Sequence, residues 1–105
     1  MKIALKEIAS VIRSKNAGPY ELTLDVLLKD DEMFARLKAA DIINKETIAG
    51  LYHIPVENVL SIVYFPGARA IKATIVRPLP SGALGERDVY GAQQHGPLVD
   101  FTFEL

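Results

Sequence analysis

The sequence predicts an α+β fold of the ferredoxin-like, split βαβ type: a mostly antiparallel four-stranded sheet covered by helices on one face, with an N-terminal helix in front. Three observations predict it. Residues 20–28 alternate apolar and polar with period two. Residues 31–52 carry two successive apolar stripes at helical spacing. Two β-rich runs, 59–65 and 70–77, are separated by Pro66-Gly67, and a last alternating run closes the chain. In that order of elements the strands beginning at Tyr20 and Ala70 are central and antiparallel neighbours. With 105 residues and no internal repeat or linker, the chain is expected to form one domain, residues 1–105.

Each element has its own local reason. Leu5, Ile8 and Ile12 share one face of a short helix over 4–12, which Gly18-Pro19 prevents from continuing. In the first strand Tyr20, Leu22, Leu24, Val26 and Leu28 face one side, and Glu21, Thr23 and Asp25 the other. Lys29-Asp30-Asp31-Glu32 supplies a turn and an acidic helix start, followed by Met33, Phe34, Leu37 and Ala40. A second helix starts near Asn44 or Lys45, carries Ile48, Leu51 and Tyr52, and ends before Pro55. His53 serves that helix end as a structural residue. Val59 to Phe65 is β-branched and aromatic, and Ile71, Ala73 and Ile75 oppose Lys72 and Thr74 in the next strand. Pro78, Pro80, Gly82 and Gly85 mark a loop, and Val99, Phe101, Phe103 and Leu105 alternate with Asp100, Thr102 and Glu104 in a final strand.

Composition excludes several function classes. Twelve basic residues nearly balance thirteen acidic ones, so no net field draws the chain to nucleic acid or to an anionic membrane. The absence of cysteine removes disulfides, a thiol nucleophile and thiolate-bound zinc. His53 and His95 are the only histidines, and neither has a second ligand at helical spacing, so no metal and no cofactor are expected. No apolar run approaches the roughly 20 residues of a membrane helix, and no signal sequence is visible, which predicts a soluble cytoplasmic protein.

Two stretches carry chemistry. Asp88-Val89-Tyr90-Gly91-Ala92-Gln93-Gln94-His95 sets an acid, a phenol, two amides and an imidazole close together. As catalytic candidates, Asp88 orients His95 or acts as a base and Tyr90 donates to an oxyanion, while Gln93 and Gln94 read a polar ligand. Read structurally, Asp88 caps a short helix, Tyr90 packs its ring and His95 precedes a turn. The other stretch is Arg13-Ser14-Lys15-Asn16-Ala17-Gly18-Pro19. Either Arg13, Ser14, Lys15, Asn16 and Gly18 hold a carboxylate or phosphate, or they terminate a helix with cations on its dipole. Arg69, in the hairpin turn, either reaches an anion or is solvated. Topology places Asp88 and Tyr90 nearer Lys15 and Asn16 than His95 is. The polar sheet face, with Glu21, Thr23, Asp25, Ser61, Lys72, Thr74, Asp100, Thr102 and Glu104, is either solvated or a subunit interface.

These two stretches, with Ala68-Arg69-Ala70-Ile71-Lys72-Ala73-Thr74, resemble small proteins of unassigned function that accompany the acyclic terpene utilisation protein A family. The layout is also similar to the ferredoxin-fold C-terminal domain of those larger proteins, where an Arg-Ser-containing loop precedes the first strand, as Arg13-Ser14 do here. The resemblance implies a small subunit or accessory partner of such a catabolic protein, contributing polar loops to a shared site for an organic acid or acyl thioester. The alternative is a stand-alone homo-oligomeric enzyme or ligand-binding module with a carboxylate site at a subunit boundary.

Overall fold

A computed structural model of the chain describes residues 2–17, 20–76 and 96–105. The architecture is α+β with mostly antiparallel sheets. In chain order it contains β1 (Lys2–Ala4), a single helical turn α1 (Leu5–Ile8), β2 (Ala9–Asn16), β3 (Glu21–Leu28), α2 (Asp31–Ala39), α3 (Lys45–Tyr52), β4 (Val59–Phe65), β5 (Ala70–Val76), a second helical turn α4 (Gly96–Val99) and β6 (Thr102–Glu104). The main sheet has the order β2-β3-β5-β4, antiparallel throughout, and β1 pairs with β6 in a separate two-stranded sheet. No helix among the described residues is long and apolar enough to cross a membrane.

The central elements stand where their sequence patterns place them. Alternation in β3 sends Leu22, Leu24, Val26 and Leu28 into the core, where they meet Ile71, Ala73 and Ile75 of β5. Helices α2 and α3 close over this face with Phe34, Leu37, Ile48 and Ala49. Each helix begins at a side-chain cap that satisfies an otherwise orphaned amide. The Met33 N–H donates to Asp30 Oδ1 at 2.7 Å, and the Thr47 N–H to Asn44 Oδ1 at 2.8 Å. Helix α3 ends in a Schellman-type closure, with His53 left-handed at φ 55° and the Ile54 N–H donating to the Ala49 carbonyl at 3.1 Å. His53 is thus structural, as its place before Ile54-Pro55 predicts, but it acts through its left-handed backbone rather than through a side chain on the last carbonyls.

Both ends of the chain depart from expectation. The expected helix over 4–12 shrinks to the turn Leu5–Ile8, and Ala9–Asn16 becomes a strand. Val11 and Ile12 are β-branched and Ser10, Ser14 and Asn16 are weak helix formers, so an isolated helix here is marginal. Pairing along the open edge of β3 satisfies the backbone instead. That strand takes the sheet position expected for the last strand. With β5 already paired to β3, closing the short β2–β3 connection costs about 1.6 kcal/mol less chain entropy than closing the segment from Val76 to Thr102. The C-terminal segment therefore pairs with β1, and Val99 lies in α4, whose Pro97 suits a first-turn position. Leu5, Leu98 and Phe103 tie this small sheet into the common core. Tyr20, expected on the buried face, precedes the strand and is 63% exposed.

Two stability predictions follow from these caps and contacts. His53→Gly removes the left-handed penalty of a β-carbon and should stabilise the protein by about 0.5–1 kcal/mol, measured by urea unfolding. The Tyr64 hydroxyl donates to the Ile43 carbonyl at 2.8 Å, and burial raises its pKa above the ordinary 10.0. A raised phenol pKa favours the protonated native state, so this contribution is complete below pH 10 and is lost as pH rises through the native pKa. Tyr52 is shifted in the same direction by burial. Unfolding free energy should fall above pH 10, and the double variant Tyr52→Phe, Tyr64→Phe should show a flatter alkaline limb.

Candidate functional site on the open sheet face

The face of the main sheet turned away from α2 and α3 is organised in rows, because antiparallel register aligns side chains of successive strands. Arg13, Asp25, Lys72 and Val63 form one row across β2, β3, β5 and β4. On one side of it lies Lys15-Thr23-Thr74-Ser61, a cation followed by three hydroxyls. On the other lies Val11-Leu27-Ala70-Phe65, wholly apolar. Beyond the hydroxyls, Glu21 stands opposite Val76. The face therefore grades along the strands from hydroxyl through charge to hydrocarbon.

Asp25 is the anchor of the charged row. It is only 4% exposed, so its carboxylate requires a partner to offset desolvation. Arg13 Nε donates to Asp25 Oδ2 at 3.1 Å, and Lys72 stands opposite Asp25 on the other flanking strand. A concavity of about 330 Å³ opens here. Its charged lining is Arg13, Lys15, Asp25 and Lys72, three cations around one carboxylate, and Leu27, Phe65 and Ala70 form its apolar side. Among the described residues Lys15 and Lys72 form no ion pair. Such a lining suits an amphipathic anion: ammonium groups for the head, aliphatic and aromatic carbon for the body.

The pleat divides the ligand-binding residues that the sequence groups together. Arg13 and Lys15 reach the open face, whereas Ser14, buried beside Leu24 in register, and Asn16, opposite Leu22, face the helix side. The helix-terminus account of Arg13 and Lys15 gives way to a strand account, since no helix ends there. Arg69 occupies the left-handed position of the β4–β5 turn at φ 50°, and its Nη1 lies 3.8 Å from Asp31 Oδ1, turned toward the start of α2. It is absent from the lining, although Ala70 beside it contributes. Asp25, Lys72, Leu27 and Phe65 complete the concavity without having been singled out as ligands. Their signal was the period-two pattern, read as a polar face rather than as a register-matched row. Of that expected face, Glu21, Thr23, Asp25, Ser61, Lys72 and Thr74 do share one surface, while Thr102 and Glu104 belong to the β1–β6 sheet.

Gly18, Asp88, Tyr90, Gln93, Gln94 and His95 lie outside the described residues. Among the described residues no group of three His, Asp or Glu side chains is placed to hold a metal ion.

The two arginines should separate in stability measurements. Arg13→Ala leaves Asp25 buried with Lys72 alone across the strand, and its cost should be about 1 kcal/mol, discounted because the Arg13 side chain is 57% exposed. Arg69→Ala removes a long, exposed pair and should cost less than about 0.5 kcal/mol. Chemical unfolding of both variants checks the order.

No curated protein and no solved structure matches the chain. One family matches residues 5–102, which takes in every element of the main sheet and both long helices. The chain belongs to that family, described as a domain of unknown function, DUF4387.

Proposed function

We propose that the open sheet face binds a small organic anion with an apolar body, an organic acid or acyl thioester. In this reading the chain is a cytoplasmic accessory subunit that presents the anion to a larger acyclic terpene utilisation A-like protein. The fold is read as a single-domain variant of the ferredoxin-like arrangement, in which β2 takes the sheet position of the usual last strand. The observation that carries the reading is the graded face, with Lys15 and Lys72 beside the Arg13–Asp25 pair and Leu27, Phe65 and Ala70 continuing as hydrocarbon.

The physical logic is that Asp25 neutralises one of three cations and leaves two positive charges for a ligand. A carboxylate between ammonium groups gains charge-assisted hydrogen bonds, and each buried methylene of its tail contributes about 0.8 kcal/mol. The concavity is open to one side, so a ligand lying in it keeps one surface exposed, the geometry expected of a site completed by a second protein. The resemblance to proteins that accompany the acyclic terpene utilisation A family supplies the partner.

Octanoate should bind more tightly than acetate, measured by calorimetry, because only the longer acid covers Leu27 and Phe65. Lys15→Ala and Lys72→Ala should each weaken octanoate binding by roughly tenfold, about 1.4 kcal/mol. Equal binding of the two acids, or affinity unchanged in both variants, would overturn the anion site. Co-expression with the larger protein checks the accessory role; the absence of a stable complex would remove that role.

A further inference from the structure

The two edge strands of the main sheet differ in how they are protected. Strand β2, at one edge, carries Arg13 and Lys15, and each edge strand has one register shift, at Ala9/Val11 in β2 and at Val59/Ser61 in β4. Charged side chains of this kind discourage pairing with another chain, and they are what sets β2 apart. Strand β4, at the other edge, reads Val59-Leu60-Ser61-Ile62-Val63-Tyr64-Phe65 and has no charge and no proline. No described strand pairs with its outer side. Leu60, Val63 and Phe65 are about 40% exposed there, a concentration of apolar surface on an edge that no described strand covers.

We infer that β4 pairs antiparallel with β4 of a second copy, about a two-fold axis at Val63, joining two sheets into one of eight strands. The regular stretch of β4, after its shift between Val59 and Ser61, runs from Ser61 to Phe65 and is centred on Val63. Antiparallel pairing of this stretch with itself sets Val63 against Val63, Ile62 against Tyr64, and Ser61 against Phe65. Every pair joins residues that point to the same side of the sheet, as antiparallel register requires.

Charge on the helix side favours a second copy over an unrelated strand. The groove beside β4, about 520 Å³, has Ile62 and Tyr64 on its floor and Lys38, Asp41, Lys45 and Glu46 around it. Two cations and two anions leave that patch without net charge, so two copies can approach there without net repulsion, as an isologous interface requires. A groove lined by one sign of charge would repel its own copy. Pairing β4 brings the two grooves together over a continuous backbone ladder.

Sedimentation velocity of the full chain from about 1 to 100 µM is the test. A dimer is expected. Val63→Lys sets two ammonium groups opposite each other at the axis and should weaken dimerisation about fivefold or more, with an unchanged circular dichroism spectrum. If that variant fails to fold, Lys45→Glu decides: alone it should weaken the dimer, and adding Glu46→Lys, which restores the balance of charge, should recover it. A monomer across the whole range overturns the inference, as does a dimer indifferent to Val63→Lys or, where that variant does not fold, to Lys45→Glu. Lys15→Ala and Lys72→Ala should leave the dimer intact, so the failure of the anion site and the failure of this interface are read separately.

Discussion

Strand β3 is the constraint on which the rest of the structure depends, because both of its edges and both of its faces are committed. Its backbone is paired with β2 on one side and β5 on the other. One face contributes Leu22, Leu24, Val26 and Leu28 to the core, each worth about 1.5–3 kcal/mol of burial. The other holds Asp25, a buried carboxylate paired with Arg13. A slip of one residue would exchange the faces, exposing four apolar side chains and turning Glu21, Thr23 and Asp25 toward the helices. Register is therefore held from both sides of the sheet, and the rows of the open face inherit their alignment from it.

That alignment has an electrostatic consequence. Arg13 Nε lies 3.1 Å from Asp25 Oδ2, and Lys72 stands opposite Asp25 on the other flanking strand. With the Arg13 side chain 57% exposed, the Arg13–Asp25 attraction is worth about 1 kcal/mol after solvent screening. The row is thus cohesive without a ligand. Lys15, one row along, is not neutralised by it, and its neighbours Thr23, Thr74 and Ser61 offer hydroxyls that accept or donate. A preformed cationic concavity results, ordered by the sheet rather than by a loop.

The middle of the chain was legible because each of its signals is local. Asp30 and Asn44 cap the helices they precede, and the strands β3, β4 and β5 fall where alternation and β-branching put them. The first sixteen residues were not, since Leu5, Ile8 and Ile12 fit a helical stripe and only tertiary pairing decides against it. That error also hid the site. Read as a loop or helix end, Arg13, Ser14, Lys15 and Asn16 seem to act together, whereas a strand separates them by the pleat and joins Arg13 to Asp25, twelve positions away in the sequence. Register is a property of two strands, and no single strand displays it.

The same sheet explains why the two edges have different chemistry. Cations on β2 guard that edge and also line the concavity, so one pair of residues serves both purposes. Strand β4 has the opposite composition, and Phe65 at its end forms part of the apolar side of the concavity. In the paired arrangement Phe65 of one copy faces Ser61 of the other, so the apolar row of each sheet lines up with the hydroxyl row of its neighbour across the two-fold axis. The charged ends, at Lys15, lie on the outermost strands. The face grades along the strands and the two-fold reverses that direction, so the two cationic ends lie at opposite corners of one eight-stranded face, and two anions bound in this way would keep their like charges apart.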